Sequence, residues 1–376
     1  MTKTIAFYLP QYHPIDENNN WWGNGFTEWT NVAQARPRFN GHHQPQIPAD
    51  LGFYDLRLAE TREAQVKLAK DYGIHGFCYY HYWFNGHMLL DRPFNEVLES
   101  GQPDFPFCLC WANENWTRAW DGLDRQVLIR QDYTNKDADE HIKWFINAFR
   151  DERYIMVDGR PLLLIYRLDH IPDIKDMINS WRNAVREAGF PELYLCAVKN
   201  GFVEIDDEDI LSLGFDGIVD FQPDRRDFPS PQGIKPLLYR LARRVLPNQL
   251  YQRIKLAVSA NNIIDYRSMV EGLVKKIWPS NYCKFPCVFP SWDNSARRSS
   301  ATIIQNDDPA LYGKWLGKAI ENVQAYPESE RFVFINAWNE WAEGCHLEPD
   351  RKHGHAFLEE TRNCVNSCGG EGGQDG

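Results

Sequence analysis

The chain contains no apolar run approaching the roughly 20 residues that a membrane-spanning helix needs, so no such helix is expected. Met1 to Pro10 lacks a basic region leading into an apolar stretch and a small-residue cleavage site; no secretory signal is expected there. Positive charge is in deficit. Lys and Arg number 41 against 52 Asp and Glu, a formal net charge of −11. That balance speaks against a nucleic-acid partner held by a general basic field. No Gly-rich loop follows an early strand, and Gly23-Asn24-Gly25 stands alone without opening a helix, so a dinucleotide or phosphate loop is not expected. No repeat at a fixed period is visible. Paired zinc knuckles are missing too. Cys283/Cys287 and Cys364/Cys368 are each spaced for one helical turn but have no suitable second pair, so no metal site is expected. The nine cysteines are odd in number, and several sit in apolar runs such as Phe105-Pro106-Phe107-Cys108-Leu109-Cys110. Reduced, buried thiols in a cytoplasmic protein fit this better than a disulfide framework.

What the chain has is length and aromatic rings. Its 376 residues are 43% hydrophobic and 14% aromatic, enough to bury a sizeable core and too aromatic for a disordered chain. Eight short apolar runs recur: Ile5–Leu9, Gly76–Tyr82, Phe105–Trp111, Leu162–Tyr166, Leu193–Val198, Gly217–Phe221, Pro286–Pro290 and Phe332–Ala337. Each is nearly continuous in apolar residues, the mark of parallel strands covered on both faces. Helical patterns lie between them. One starts at Asp173, expected to act as N-cap, with Ile174, Met177, Ile178, Trp181, Val185 and Ala188 at helical spacing and Gly189 as its stop. Another opens at Asp308-Pro309 with a stripe of Tyr312, Trp315, Ala319 and Val323. Leu58–Tyr72 and His141–Phe149 supply two more. Eight parallel strands separated by helices predict an α/β fold, a (β/α)8 TIM barrel spanning residues 1–366; an open doubly wound sheet is the alternative.

Two segments stand apart. Arg225 to Lys255 carries eight basic residues and one acid, and the stretch of about 225–262 reads as an insertion before strand seven. It either packs on the barrel with a solvated basic side or meets a membrane or lipid-linked glycan. Residues 367–376 read as a disordered tail. Oligomeric state is not readable.

In a barrel of this type, chemistry gathers after the C-terminal ends of the strands. Ten of the 14 tryptophans fall in those segments. Aromatic faces beside carboxylates, amides and Arg suit a sugar, whose C–H faces stack while its hydroxyls take hydrogen bonds; the rings could instead plug the barrel mouth. The expected binding residues are Tyr8, Gln11, His13, Trp22, Glu28 and Trp29 from the first segment. Tyr80, His81, Tyr82 and Trp83 follow strand two, and Trp111, Asn113, Glu114 and Trp116 follow strand three. Trp292, Asp293 and Asn294 follow strand seven; Trp338, Asn339 and Trp341 follow strand eight. The sharpest signal is Asn339-Glu340-Trp341-Ala342-Glu343-Gly344. Two acids flank a Trp-Ala pair and a Gly lets the chain turn. If both carboxyl groups reach one cleft, they can hold different protonation states, as acid/base work at a glycosidic bond requires. Otherwise Glu343 caps a helix and Glu340 is salt-bridged.

Several motifs resemble a known family. Tyr8-Leu9-Pro10-Gln11-Tyr12-His13, Gly25-Phe26-Thr27-Glu28-Trp29, Asp50-Leu51-Gly52-Phe53-Tyr54-Asp55-Leu56-Arg57, Gly76-Phe77-Cys78-Tyr79-Tyr80 and Trp111-Ala112-Asn113-Glu114 look like the WbsX-type family. That family is similar to glycoside hydrolase family 99 and is linked to bacterial surface-polysaccharide clusters. The resemblance implies a (β/α)8 barrel and a retaining endo-acting α-mannosidase mechanism without a cofactor. It assigns Glu340 as the base that takes a proton from the sugar 2-hydroxyl, giving a 1,2-anhydro sugar, and Glu343 as general acid and then base for water. Ala342 stands where the related enzymes tend to carry His, which weakens the transfer of mannose specificity but not that of the carboxylate pair. Three functions follow: a glycoside hydrolase first, then a glycosyltransferase of surface polysaccharide, then a glycan-binding protein without catalysis. Asp137-Ala138-Asp139 and Asp207-Glu208-Asp209 have the spacing of metal–nucleotide acids but are expected to be solvated helix residues.

Overall fold

A computed structural model describes residues 1–118, 123–229 and 261–369. All eight expected strands are present. They are β1 (Lys3–Tyr8), β2 (Gly76–Phe84), β3 (Phe107–Trp111), β4 (Arg160–Ile165), β5 (Tyr194–Lys199), β6 (Gly217–Asp220), β7 (Cys283–Val288) and β8 (Phe332–Ile335). Every neighbouring pair is parallel. β1 also pairs with β8, Lys3 opposite Phe332 and Ala6 opposite Ile335, so the sheet closes on itself. This is the (β/α)8 barrel, and the open-sheet alternative falls. The strands are buried along nearly their whole length because helices cover the outside and side chains fill the inside.

Among the described residues, α1 (Ala59–Asp71), α2 (Arg92–Ser100), α3 (Asn135–Phe149), α4 (Ile174–Glu187), α5 (Asp207–Ser212), α6 (Tyr266–Leu273) and α7 (Pro309–Asn322) return the chain between successive strands, and α8 (Ala356–Gly369) follows β8. The start of α7 follows from its sequence. Pro309 occupies the first turn, and the Asp308 carboxylate accepts from the Ala310 and Leu311 amides at 2.9 and 3.3 Å. Tyr312, Trp315, Ala319 and Val323 are buried, as the stripe required. The start of α4 differs from expectation. Asp173 precedes the helix in a left-handed conformation at φ 49°, and its side chain makes no capping bond. α3 begins six residues before His141, where the Thr134 hydroxyl accepts from Asp137 N.

The acids expected to be solvated are not all so. Asp137 is buried and accepts from Trp83 Nε1 at 2.7 Å. Asp207 is clasped by Lys199 at 2.5 Å and Lys284 at 3.0 Å, which hold its carboxyl down at about 2. Both are structural partners of neighbouring side chains. Most of the basic segment, with Lys235, Arg240, Arg243, Arg244, Arg253 and Lys255, lies outside the described residues, as do Trp120, Asp121 and the tail from 370 onward. Beyond that segment, Asn261–Asp265 pairs in parallel with Ala301–Gln305 and adds a small sheet to the barrel. Among the described residues no helix is long and apolar enough to cross a membrane. Cys78, Cys108, Cys110, Cys196, Cys283, Cys287 and Cys345 form no disulfide.

Candidate active site

The top layer of the barrel interior makes a floor. Phe7 stacks on Tyr80 with ring centres 5.4 Å apart, Phe221 meets Phe7 edge-on at 5.3 Å, and Tyr166 meets Phe221 at 5.6 Å. Above it opens a cavity of about 850 Å³ at the C-terminal ends of the strands, lined among others by Tyr80, Tyr82, Tyr166, Phe221, Trp116, Trp292, Glu340 and Glu343. A floor of rings with carboxylates beside it is half apolar and half polar, the surface a sugar ring presents in complement.

The acid pair owes its geometry to a short hairpin. Asn339 and Glu340 pair antiparallel with His346 and Cys345. Between them Trp341–Glu343 forms a single 3-10 turn. In such a turn residues three apart eclipse, so the spacing of Glu340 and Glu343 favours one shared side. Gly344 ends the turn in a left-handed conformation at φ 55°, and a Cβ there would stand 3.0 Å from Asp293. The back of the hairpin is fastened. Asn339 exchanges hydrogen bonds with the Leu9 backbone in both directions, at 2.8 and 3.0 Å. The Tyr12 hydroxyl donates to Asn339 O at 2.5 Å and accepts from Trp341 N at 3.1 Å. Trp341 stacks on His346 at 3.6 Å and donates to Glu348 at 2.6 Å. What remains facing the cavity is the pair of glutamates.

One guanidinium joins them. Arg297, in the segment after β7, places Nη2 3.0 Å from Glu340, Nη1 2.9 Å from Glu343 and Nε 3.0 Å from Glu28. The planar fork thus holds three carboxylates at once. Glu28 is fully buried and lies behind the cavity wall. Burial pushes the Glu340 carboxyl up to about 8; Arg297 opposes that shift, and Glu343 and Glu28 add to it. Neighbours fasten the segment that carries Arg297. Arg38 donates to the Ser299 and Ser295 carbonyls at 2.7 and 2.6 Å and to Arg298 O. Asp293 accepts from His42 at 2.7 Å, from Gln44 at 2.6 Å and from Ser295 N at 2.9 Å.

The expected site residues divide. Gln11, Trp22, Tyr80, Tyr82, Glu114, Trp116, Trp292, Asn294, Glu340 and Glu343 line the cavity. The others do other work. Tyr8 donates to Gln65 at 2.7 Å beneath α1. Trp29 donates to Tyr54 O at 2.8 Å. His13 and Trp338 are buried in the core of the mouth. His81 meets His141 at 2.9 Å and stacks on Trp144, and Trp83 bonds Asp137. Trp111 packs on Trp181. Asn113 bonds both backbone groups of Arg167 at 2.8 Å. Asp293, Asn339, Trp341 and Glu28 position the acid pair as described above. Of the strand-end tryptophans only Trp22, Trp116 and Trp292 reach the cavity among the described residues; more of its aromatic wall comes from Tyr and Phe. Arg297 also lines the cavity, and nothing in the sequence marks it as the hub. Asn200, Phe202 and Arg225 also line the cavity and carried no local motif. Among the described residues no group of three or more His, Cys, Asp and Glu is arranged to hold a metal ion.

Comparison with known proteins fits this geometry. An endo-α-mannosidase of glycoside hydrolase family 99 from Bacteroides thetaiotaomicron shares the fold at 14% identity, with a TM-score of 0.56, covering 97% of this chain and 96% of that one. A glycoside hydrolase-like protein superposes with a TM-score of 0.58 at 16% identity, covering 97% and 94%. At these identities the likeness is one of fold. Closer in sequence is the uncharacterized protein WxcX of Xanthomonas campestris pv. campestris, 41% identical over 363 residues in each of two strains. That match takes in 96% of this chain and 49% of the relative, so the chain spans about half the length of the curated proteins it matches. The family described as glycosyltransferase WbsX matches residues 4–361. With nearly the whole barrel inside that match, the chain belongs to the WbsX family.

Proposed function

We propose that this protein is a retaining glycoside hydrolase acting on a polysaccharide or oligosaccharide, with Glu340 and Glu343 as its catalytic pair. The observation that carries the reading is the convergence of both carboxylates on one side of a fastened turn, at the wall of a ring-floored cavity, around a single guanidinium.

Each acid has a task in this reading. Glu340 takes the proton of the sugar 2-hydroxyl. That oxygen attacks the anomeric carbon, and the bond to the leaving oxygen breaks as Glu343 protonates it. The product is a 1,2-anhydro sugar. Glu343, now ionised, takes a proton from water, whose oxygen opens the three-membered ring at the anomeric carbon. Glu340 returns its proton to O2. Two inversions leave the configuration unchanged. Burial of Glu340 supports its role, because a carboxylate whose proton affinity approaches the working pH is a better base than an exposed one. Arg297 keeps two neighbouring acids tolerable in one buried place.

The test is cleavage of surface-polysaccharide fragments by the full chain. Glu340→Gln and Glu343→Gln should each lower the rate about 10²–10⁴-fold with unfolding unchanged. The anomer released first should match that of the substrate. Full activity in both variants removes the mechanism. The description of the WbsX family favours a second reading, in which a sugar hydroxyl replaces water and the reaction is transfer. Micromolar binding of UDP- or GDP-sugars would establish that reading instead. Glycan binding that persists without any turnover would mark a binding protein.

A further inference from the structure

The cavity has a second wall with a different chemistry. In the closed strand order, β5 lies opposite β1, and β6 lies two strands from β8. The loops after β5 and β6 meet at this second wall. Asp224 accepts from Arg226 N at 2.8 Å and pairs with the Arg226 side chain, which reaches the Asn200 carbonyl at 3.2 Å. A Cβ on Gly201 would stand 2.9 Å from Asp224 Oδ1, so this close lacing depends on glycine.

The laced loops present a cation. Arg225 is exposed, lines the cavity, and lies over the Phe202 ring at 4.6 Å. Phe202 is itself 56% exposed. The nearby acids are engaged elsewhere: Glu114 with Arg167 at 2.5 Å, Asp224 with Arg226, and Asp227 with Lys276 at 2.6 Å. Among the described residues no carboxylate forms an ion pair with Arg225. Beside it Asn200 is buried; its Oδ1 accepts from Phe202 N at 3.0 Å, which leaves Nδ2 as a donor. That donor has no acceptor among the described residues. A cation fixed by an aromatic ring, next to a spare amide donor and without a local counter-ion, is a place for an anion.

We propose that Arg225, held by Phe202 and backed by the Asn200 amide, forms a subsite for an anionic sugar unit, so that the glycan taken by this cavity carries a carboxylate or a phosphate. This rests on the reading of the cavity as a glycan cleft.

The test is calorimetric binding to the full-length Glu343→Gln protein. Its probes are oligogalacturonate, the methyl ester of the same oligomer, phosphomannan fragments and neutral mannan fragments. The proposal expects an acidic probe to bind more tightly than its uncharged counterpart, more weakly as salt rises. The carboxylate and phosphate arms tell which group is taken. Arg225→Gln should cost about tenfold or more in affinity for that probe, and Arg225→Lys should recover part of it. Thermal unfolding of both variants checks that the loops persist. Equal binding of charged and uncharged oligomers, or a silent Arg225→Gln, overturns the anionic subsite and leaves the glycan cleft standing. Binding of no oligosaccharide of either kind overturns both.

Discussion

Glu340 and Glu348 lie eight positions apart after the same strand, and both are buried acids that hold their protons far above the usual carboxylate range, up to about 8 and about 7. Burial is the main cause in each. Their surroundings differ in everything else. Glu340 faces a cavity and shares a guanidinium with two other carboxylates. Glu348 is sealed in and accepts only from neutral donors: Gln65 at 2.6 Å, Tyr54 at 2.8 Å and Trp341 at 2.6 Å. A raised proton affinity therefore does not separate a reacting acid from an architectural one. Access and a counter-ion do. Glu348, gripped by three donors, is a fixed post behind the turn. Glu340, with a cation beside it, can be ionised without leaving an uncompensated charge.

The largest effect should come from exchanging the two acids' fates. Glu340→Gln should reduce glycan cleavage about 10²–10⁴-fold, whereas Glu348→Gln, which touches no substrate, should reduce it far less while lowering stability. Initial rates on one substrate, with unfolding of both variants by urea, would show it; equal catalytic losses break the contrast. Next comes the counter-ion. Arg297→Gln leaves buried carboxylates facing one another and should cost about 3–5 kcal/mol at neutral pH. Because Arg297 opposes the upward shift of Glu340, its loss should push that group higher still. The penalty should then shrink as the pH falls and the acids take up protons; a penalty independent of pH would mean the guanidinium acts only by packing. The smallest effect is a slope. Both acids keep protons in the folded chain that they release near 4.5 when unfolded. The stability they add is complete below that value and is lost as the pH rises through about 7 to 8. Urea midpoints from pH 5 to 8.5 should therefore fall, and less steeply in Glu348→Gln than in the parent protein.

Legibility in the sequence followed physical range. The strands were readable because each is buried on both faces and needs a continuous apolar run, a signal contained within five or six residues. The spacing of Glu340 and Glu343 was readable for the same reason, since one turn sets it. Asp173 misled because an acid before a helix is a cap only if its own backbone is extended, and here it is left-handed. The tryptophans misled more. A ring at a strand end can point into the cavity or down into the packing beneath it, and Trp111 and Trp338 take the second course. Arg297 was out of reach, because its partners lie 43 and 269 positions away and only closure of the barrel brings them together. Arg225 is legible as one member of a basic cluster but not as a cation laid over an aromatic ring at a cavity wall.

That long separation has a bearing on how the protein comes into being. The three carboxylates and their guanidinium are drawn from residues 28, 297, 340 and 343, and the turn bearing two of them is tied to Leu9 at the first strand's end. A ribosome that has delivered the chain as far as β7 has therefore delivered none of the assembled cluster. The acid pair meets its counter-ion only when the segments after β7 and β8 come together with the segment after β1.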